Sequence, residues 1–266
     1  MQIFIIDAFT KFPFQGNPAA TVLVEEFPSD RLMQNIAAEM NFSETAFAQK
    51  ISPNNFHLRW FTPTQEVNLC GHATLAMAHN LKTMSAIDPE SNLIFKTRSG
   101  DLAIRFEQDL IVMNFPTNYF EDCDQRSLAT LKNIFANYNY QVLGIAAENI
   151  TVVLEEESQV LEFIPNFAQI SELEGRLIIT AIADPEHPYD FVSRFFAPNA
   201  GINEDPVTGS AHCCLTPYWS KRLGKDTLKA KQLSQRTGEL ELKYLGDRLE
   251  IKGYAVTVLK GVLENI

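Results

Sequence analysis

The sequence predicts an α+β protein made of two related halves, and three observations lead to it. A glycine loop occurs twice, an offset of 138 residues carrying Gly71-His72-Ala73 onto Gly209-Ser210-Ala211. Its surroundings repeat in the same order, with Arg59-Trp60-Phe61-Thr62-Pro63 and Arg194-Phe195-Phe196-Ala197-Pro198 before the copies. Arg98-Ser99-Gly100-Asp101-Leu102 and Arg236-Thr237-Gly238-Glu239-Leu240 follow them. Matched landmarks in one order imply two pseudo-symmetric units with equivalent loops, facing each other across one cleft. Third, each loop leads into a segment, Ala73 to Leu81 and Ala211 to Leu223, that reads as a helix buried within a sheet or barrel.

Taken in order, Ile3, Ile5 and the run Thr21 to Val24 read as strands, joined across Phe12 to Ala20 with Gly16-Asn17-Pro18 as the turn residues. Pro28-Ser29-Asp30 caps a helix from Arg31 to about Met40, with Leu32, Ile36 and Met40 on one buried face. Asn41 to Phe47 alternates as a short strand, which puts Phe42, Glu44 and Ala46 on a common, largely apolar face. Phe56 to Phe61 is the next strand, and Leu102 to Phe106 with Leu110 to Phe115 form a hairpin. The polar stretch Pro116 to Asp124 is the linker, so that residues 1–117 form an N-terminal domain and 118–252 a C-terminal one. Ser127 to Tyr138 is helical, and Asn149 to Leu154 and Arg176 to Ala183 are β-branched strands. Pro217 should kink or shorten the second buried helix. Thr237 to Ile251 repeats the hairpin, and the strand Ala255 to Leu259, within 253–266, returns to complete the first domain.

Composition bounds the partners. A formal net charge of −11 on 266 residues disfavours nucleic acid and anionic membrane surfaces, which select basic patches. The N-terminus MQIFIIDAFT lacks a basic leader and carries Asp7 in its apolar run, so it reads as a strand. The four cysteines have no disulfide-scaffold spacing, and cytoplasmic location with reduced thiols is the expectation. A small anionic molecule is the expected ligand, because a glycine turn that opens a helix offers backbone N–H groups to a carboxylate. Glu44, desolvated on its apolar face, is the candidate general acid/base. His72, at a helix start, should be neutral.

With these residues in place, the motifs FTPTQEVNLCGHATLA, NFSETAF, GNPAA and EDPVTGSAH resemble the phenazine-biosynthesis F family of cofactor-independent isomerases, over nearly the whole chain. The resemblance implies a diaminopimelate-epimerase-like fold, each domain a β-barrel around a central helix, and a homodimer. It implies Glu44 as the acid/base group, with His72 and Asp205 as its catalytic companions. Gly71, Gly209 and Ser210 would bind the substrate carboxylate, and no cofactor is needed. The member that names the family moves a proton within a dihydro-hydroxyanthranilate. Asn68 stands where the family more often has aspartate.

Two other readings stay open. In an epimerase with two opposed thiols, Cys70 would supply one, but the position 138 residues on is Thr208. A catalytically silent binder would keep the cleft without needing Glu44. A metal site from Cys70, His72 and His212-Cys213-Cys214 matches no zinc spacing, and neither GxGxxG nor a P-loop is present.

Overall fold

The computed structural model describes residues 1–264, so the last two residues of the expected closing segment fall outside the described residues. The chain partitions into two units, Met1–Asn114 with the chain from Ile251, and Phe115–Glu250.

In the first unit β1 (Gln2–Ala8) pairs antiparallel with β2 (Asn17–Val24). The connection closes on Gly16, at φ +67°, where a Cβ would sit 2.1 Å from the Ala8 carbonyl oxygen, so only glycine fits. The turn therefore ends earlier than expected, and Asn17 and Pro18 are already strand. Helix α1 (Asp30–Met40) starts on Ser29, whose hydroxyl accepts the Leu32 N–H, and buries Met33, Ile36 and Ala37. Its last turn is closed by Asn41 at φ 53°, a left-handed residue that no strand contains. The expected strand through Asn41 to Phe47 is thus cut short. β3 (Thr45–Ser52) begins one residue after Glu44, which stands at the junction of loop and strand and not within an alternating face.

β3 runs parallel to β2 and antiparallel to β4 (Asn55–Phe61), against which the short β5 (Glu66–Val67) lies. Helix α2 (Gly71–Thr83) follows, then β6 (Leu93–Thr97), parallel to β4, and the antiparallel β7 (Gly100–Glu107) and β8 (Leu110–Pro116). α2 packs against β1, β2 and β3 and is buried nearly all round, which is why it shows no polar face. Two of its polar side chains bond to the sheet: Asn80 Nδ2 donates to Thr21 Oγ1 at 2.9 Å, and His79 Nε2 lies 3.1 Å from Thr257 Oγ1.

In the second unit α3 (Gln125–Ile134) is capped by Asp124, which accepts the Ser127 N–H. β9 (Tyr140–Ala146) and β10 (Asn149–Leu154) are antiparallel, and α4 (Glu157–Glu162) and α5 (Phe167–Ile170) precede β11 (Arg176–Ile182), parallel to β10. β12 (Phe191–Ala197) pairs antiparallel with β11, and β13 (Ile202–Asp205) lies on β12. After α6 (Gly209–Leu223) come β14 (Thr227–Gln232), parallel to β12, and β15 (Gly238–Tyr244), antiparallel to β14. β16 (Arg248–Gly253) completes the hairpin, and β17 (Ala255–Val262) pairs antiparallel with β1 in the first unit's sheet. The order of ladder senses in β1 to β7 is repeated in β9 to β15, with β5 and β13 as matching short strands.

Pro217 neither ends nor shortens α6. A proline leaves the carbonyl four residues back without its helical donor, here Cys213. That oxygen instead accepts the Asn118 N–H at 3.0 Å, so the linker supplies what the proline withholds. α6 is enclosed as α2 is: Trp219 stacks on Phe191 of β12 at 5.5 Å and donates to Thr180 Oγ1 of β11 at 3.1 Å.

Candidate active site

Each unit holds its glycine loop with the same three devices. The repeated arginine grips a glutamate in a bidentate fork: Arg59 to Glu66 at 2.8 and 2.7 Å, and Arg194 to Glu204 at 2.7 and 3.0 Å. A serine at the end of the following strand donates to a loop carbonyl, Ser99 to Asn68 O at 2.8 Å and Ser234 to Pro206 O at 2.7 Å. One turn into the helix a side chain donates back to the carbonyl of the residue before the glycine. Thr74 Oγ1 reaches Cys70 O at 2.6 Å, and His212 Nδ1 reaches Thr208 O at 2.8 Å. Glu66 and Glu204, Asn68 and Pro206, Cys70 and Thr208, and Thr74 and His212 are all 138 apart. Neither Cys70 nor Thr208 caps its helix through its side chain, so the N–H groups from Gly71 and Gly209 onward are not engaged from that position.

In the first unit Glu44, Cys70 and His72 come together. His72 Nε2 lies 3.2 Å from Glu44 Oε2, and His72 Nδ1 lies 3.5 Å from Cys70 Sγ. His72 is 5 % exposed and Cys70 7 %, whereas the Glu44 side chain keeps 14 %. Glu44 Oε2, the oxygen that faces His72, is buried with it, and the Glu44 side chain as a whole is the most exposed of the three. Burial pushes the His72 pKa down to about 3. The nearby carboxylate pulls the other way, but desolvation of a ring enclosed on all sides wins, and His72 is neutral as expected. Burial, and not the helix dipole, is the main cause. Each of the three side chains offers one donor atom, all within 4.8 Å of one another. His212, Cys213 and Cys214, weighed above as metal ligands, belong to the second unit's helix.

In the second unit Asp205 is 8 % exposed and stands with Thr208, Gly209 and Ser210. The Thr208 hydroxyl donates to Asp205 Oδ2. Gln232, fully buried at the end of β14, holds both ends of this turn: its Nε2 donates to Asp205 O at 2.7 Å, and its Oε1 accepts the Thr208 N–H at 2.9 Å. Ser210 is exposed. Sequence reasoning named Glu44, His72, Asp205 and both glycines as candidates, of which the structure brings Glu44 and His72 together; it did not name Gln232, the two bracing serines or the Cys70–His72 contact. Ser99 stands within a repeated flank, but Ser234 lies just before the counterpart flank, and a lone buried glutamine leaves no such mark.

The profile of the phenazine biosynthesis-like proteins matches residues 6–261. An uncharacterized isomerase of Halalkalibacterium halodurans is 40% identical over 98% of this chain and 97% of its own. The crystal structure of a phenazine biosynthesis protein of the PhzF family from Enterococcus faecalis superposes with a TM-score of 0.90, at 39% identity, over 98% of this chain and 97% of that one. A predicted epimerase from Pseudomonas aeruginosa, at 17% identity over 100% of this chain and 99% of that one, shares the fold with a TM-score of 0.73.

Proposed function

We propose that this chain, which belongs to the phenazine biosynthesis-like family and is an isomerase, moves a proton between two carbons of a small carboxylate-bearing substrate with Glu44 as the single acid/base group. The observation that carries this reading is the Glu44–His72 pair. A carboxylate lies 3.2 Å from an imidazole that burial holds neutral, so the proton shuttle is the carboxylate itself. Glu44 takes the proton from an acidic C–H, the electron pair shifts along the conjugated substrate, and Glu44 returns the proton at the second carbon. His72, neutral and held by its neighbours, fixes the carboxylate in place. The Gly71–His72 and Gly209–Ser210 helix starts offer N–H groups to carboxylate oxygens, with the exposed Ser210 hydroxyl beside the second, and Asp205 receives a hydroxyl or amino group. Substrates of dihydro-hydroxyanthranilate type meet these requirements. Cytoplasmic location and a homodimer complete the proposal; no described helix is long and apolar enough to cross a membrane.

A two-thiol epimerase is disfavoured by the asymmetry of the twin loops. Thr208 occupies the place of Cys70, and by strand register Arg176 occupies the place of Glu44. The test is deuterium incorporation from D₂O, read by proton NMR, into dihydroaromatic hydroxy-amino acids, cyclic amino acids and diaminopimelate. Incorporation should vanish with Glu44→Gln and survive in Cys70→Ser. Loss with Cys70→Ser and survival in Glu44→Gln would move the assignment to the epimerase, and binding without exchange in any compound would make the protein a silent binder.

A further inference from the structure

The donor set around Glu44 has a property that proton transfer does not require. It combines a thiol, an imidazole and a carboxylate, the three side-chain classes that bind zinc, in a largely buried cluster whose most exposed member is the Glu44 side chain. The spacing is close to that of a tetrahedral ion. Zinc bonds of about 2.0 Å to N and O and about 2.3 Å to S place ligand atoms roughly 3.3 to 3.6 Å apart. His72 Nε2 and Glu44 Oε2 are 3.2 Å apart, and Cys70 Sγ and His72 Nε2 are 4.0 Å apart. All three donor atoms lie within 4.8 Å of one another, so Cys70 has to turn inward to complete the set. Three protein ligands leave a fourth position for water, the arrangement of an accessible and not a structural site.

We propose that Glu44, Cys70 and His72 form a reversible inhibitory site for a borderline-soft divalent cation, zinc above all. Binding forms Zn–S, Zn–N and Zn–O bonds, and the Cys70 thiol proton leaves to solvent. No redox partner is involved. With its oxygen on the metal, Glu44 no longer accepts a substrate proton, so the bound ion stops the isomerisation until a chelator removes it. This inhibition rests on the acid/base reading of Glu44; the binding itself does not. Hard cations such as Mg²⁺ are poor competitors for a site with a sulfur and a nitrogen donor.

Cobalt(II) is the probe. Titrated into reduced protein, it should give, with one equivalent, the strong visible bands of four-coordinate cobalt and a near-ultraviolet sulfur-to-metal band, both erased by Zn²⁺ or by chelator. The sulfur band should vanish in Cys70→Ser and in Cys70→Ala but persist in Cys123→Ser, the control for the one half-exposed thiol. Glu44→Gln should weaken cobalt binding by tenfold or more, with circular dichroism confirming that each variant is folded. Absence of the sulfur band in the unaltered protein, or its persistence in folded Cys70 variants, overturns the site. Since absorption does not depend on turnover, the two readings separate: a formed zinc complex that still exchanges deuterium overturns Glu44 as the acid/base group and leaves the metal site standing.

Discussion

Replacing Gln232 with leucine tests whether a buried amide on β14 sets the position of Asp205. The side chain is fully buried and bonds to the Asp205 carbonyl at 2.7 Å and the Thr208 N–H at 2.9 Å. Leucine fills similar volume but takes both partners away. Each buried polar group deprived of its bond costs about 1–3 kcal/mol, so two cost ~2–6 kcal/mol, offset in part by the gain from burying leucine. A net loss of about 3 kcal/mol is expected, which for a unit of this size lowers the midpoint of thermal unfolding by roughly 10 °C. Calorimetry of the unaltered and variant proteins measures it. Gln232→Glu sharpens the test, because it keeps an acceptor for Thr208 but sets an oxygen against the Asp205 carbonyl and buries a charge. Its destabilisation should exceed that of leucine at neutral pH and shrink as acid protonates the new carboxyl. Deuterium exchange into the substrate should fall by at least tenfold in both while Glu44 is untouched. A leucine variant within about 1 kcal/mol of the unaltered protein, or one with full exchange activity, would refute the reasoning.

Three further outcomes follow from the same geometry. His72 and His212 are buried and neutral, with pKa values of about 3 and about 4 against 6.5 for an exposed ring. Below about pH 6.5 the unfolded chain binds protons that these rings in the folded chain refuse, so stability is present above that pH and is lost as pH falls, until the folded values are reached. Two such rings give a slope approaching ~2.7 kcal/mol per pH unit in urea titrations between about pH 6.5 and 5, and a flat profile there would contradict their burial. Arg194→Lys should cost about 3 kcal/mol, because the buried guanidinium serves Glu204 and the Phe163 carbonyl at once. Arg59→Lys, where the arginine side chain is 18 % exposed against 10 % for Arg194, should cost less, and an equal loss in chemical denaturation would argue against that difference. Gly16→Ala should lose roughly 2 kcal/mol or more, since its φ of +67° and the Ala8 oxygen 2.1 Å from any Cβ leave alanine no unstrained place; unchanged stability would show that the β1–β2 connection can rearrange.

Much of this was legible in the sequence because duplication turns one weak signal into two that must agree. A glycine before a buried helix is ambiguous alone, but Gly71 and Gly209 each open such a helix, and the flanking Arg59 and Arg194 each grip a glutamate. What repeats is the bracing, which the fold needs at both loops. The residues proposed for chemistry stand where the repeat fails: His72 against Ser210 and Glu44 against Arg176, with Cys70 against Thr208 beside them. Alternation misplaced Glu44 on a strand because it cannot see a left-handed residue, and Asn41 breaks the extended backbone first. The same local blindness hid how Pro217 is tolerated, with the Cys213 carbonyl it orphans satisfied from residue 118, and hid Gln232, whose partners lie more than twenty residues away. In each case the missing information is a hydrogen bond between segments distant in sequence, which no local pattern encodes. The loop that positions Asp205 is therefore specified jointly by its own residues and by a strand that comes later in the chain, and a search by motif alone meets the first and passes over the second.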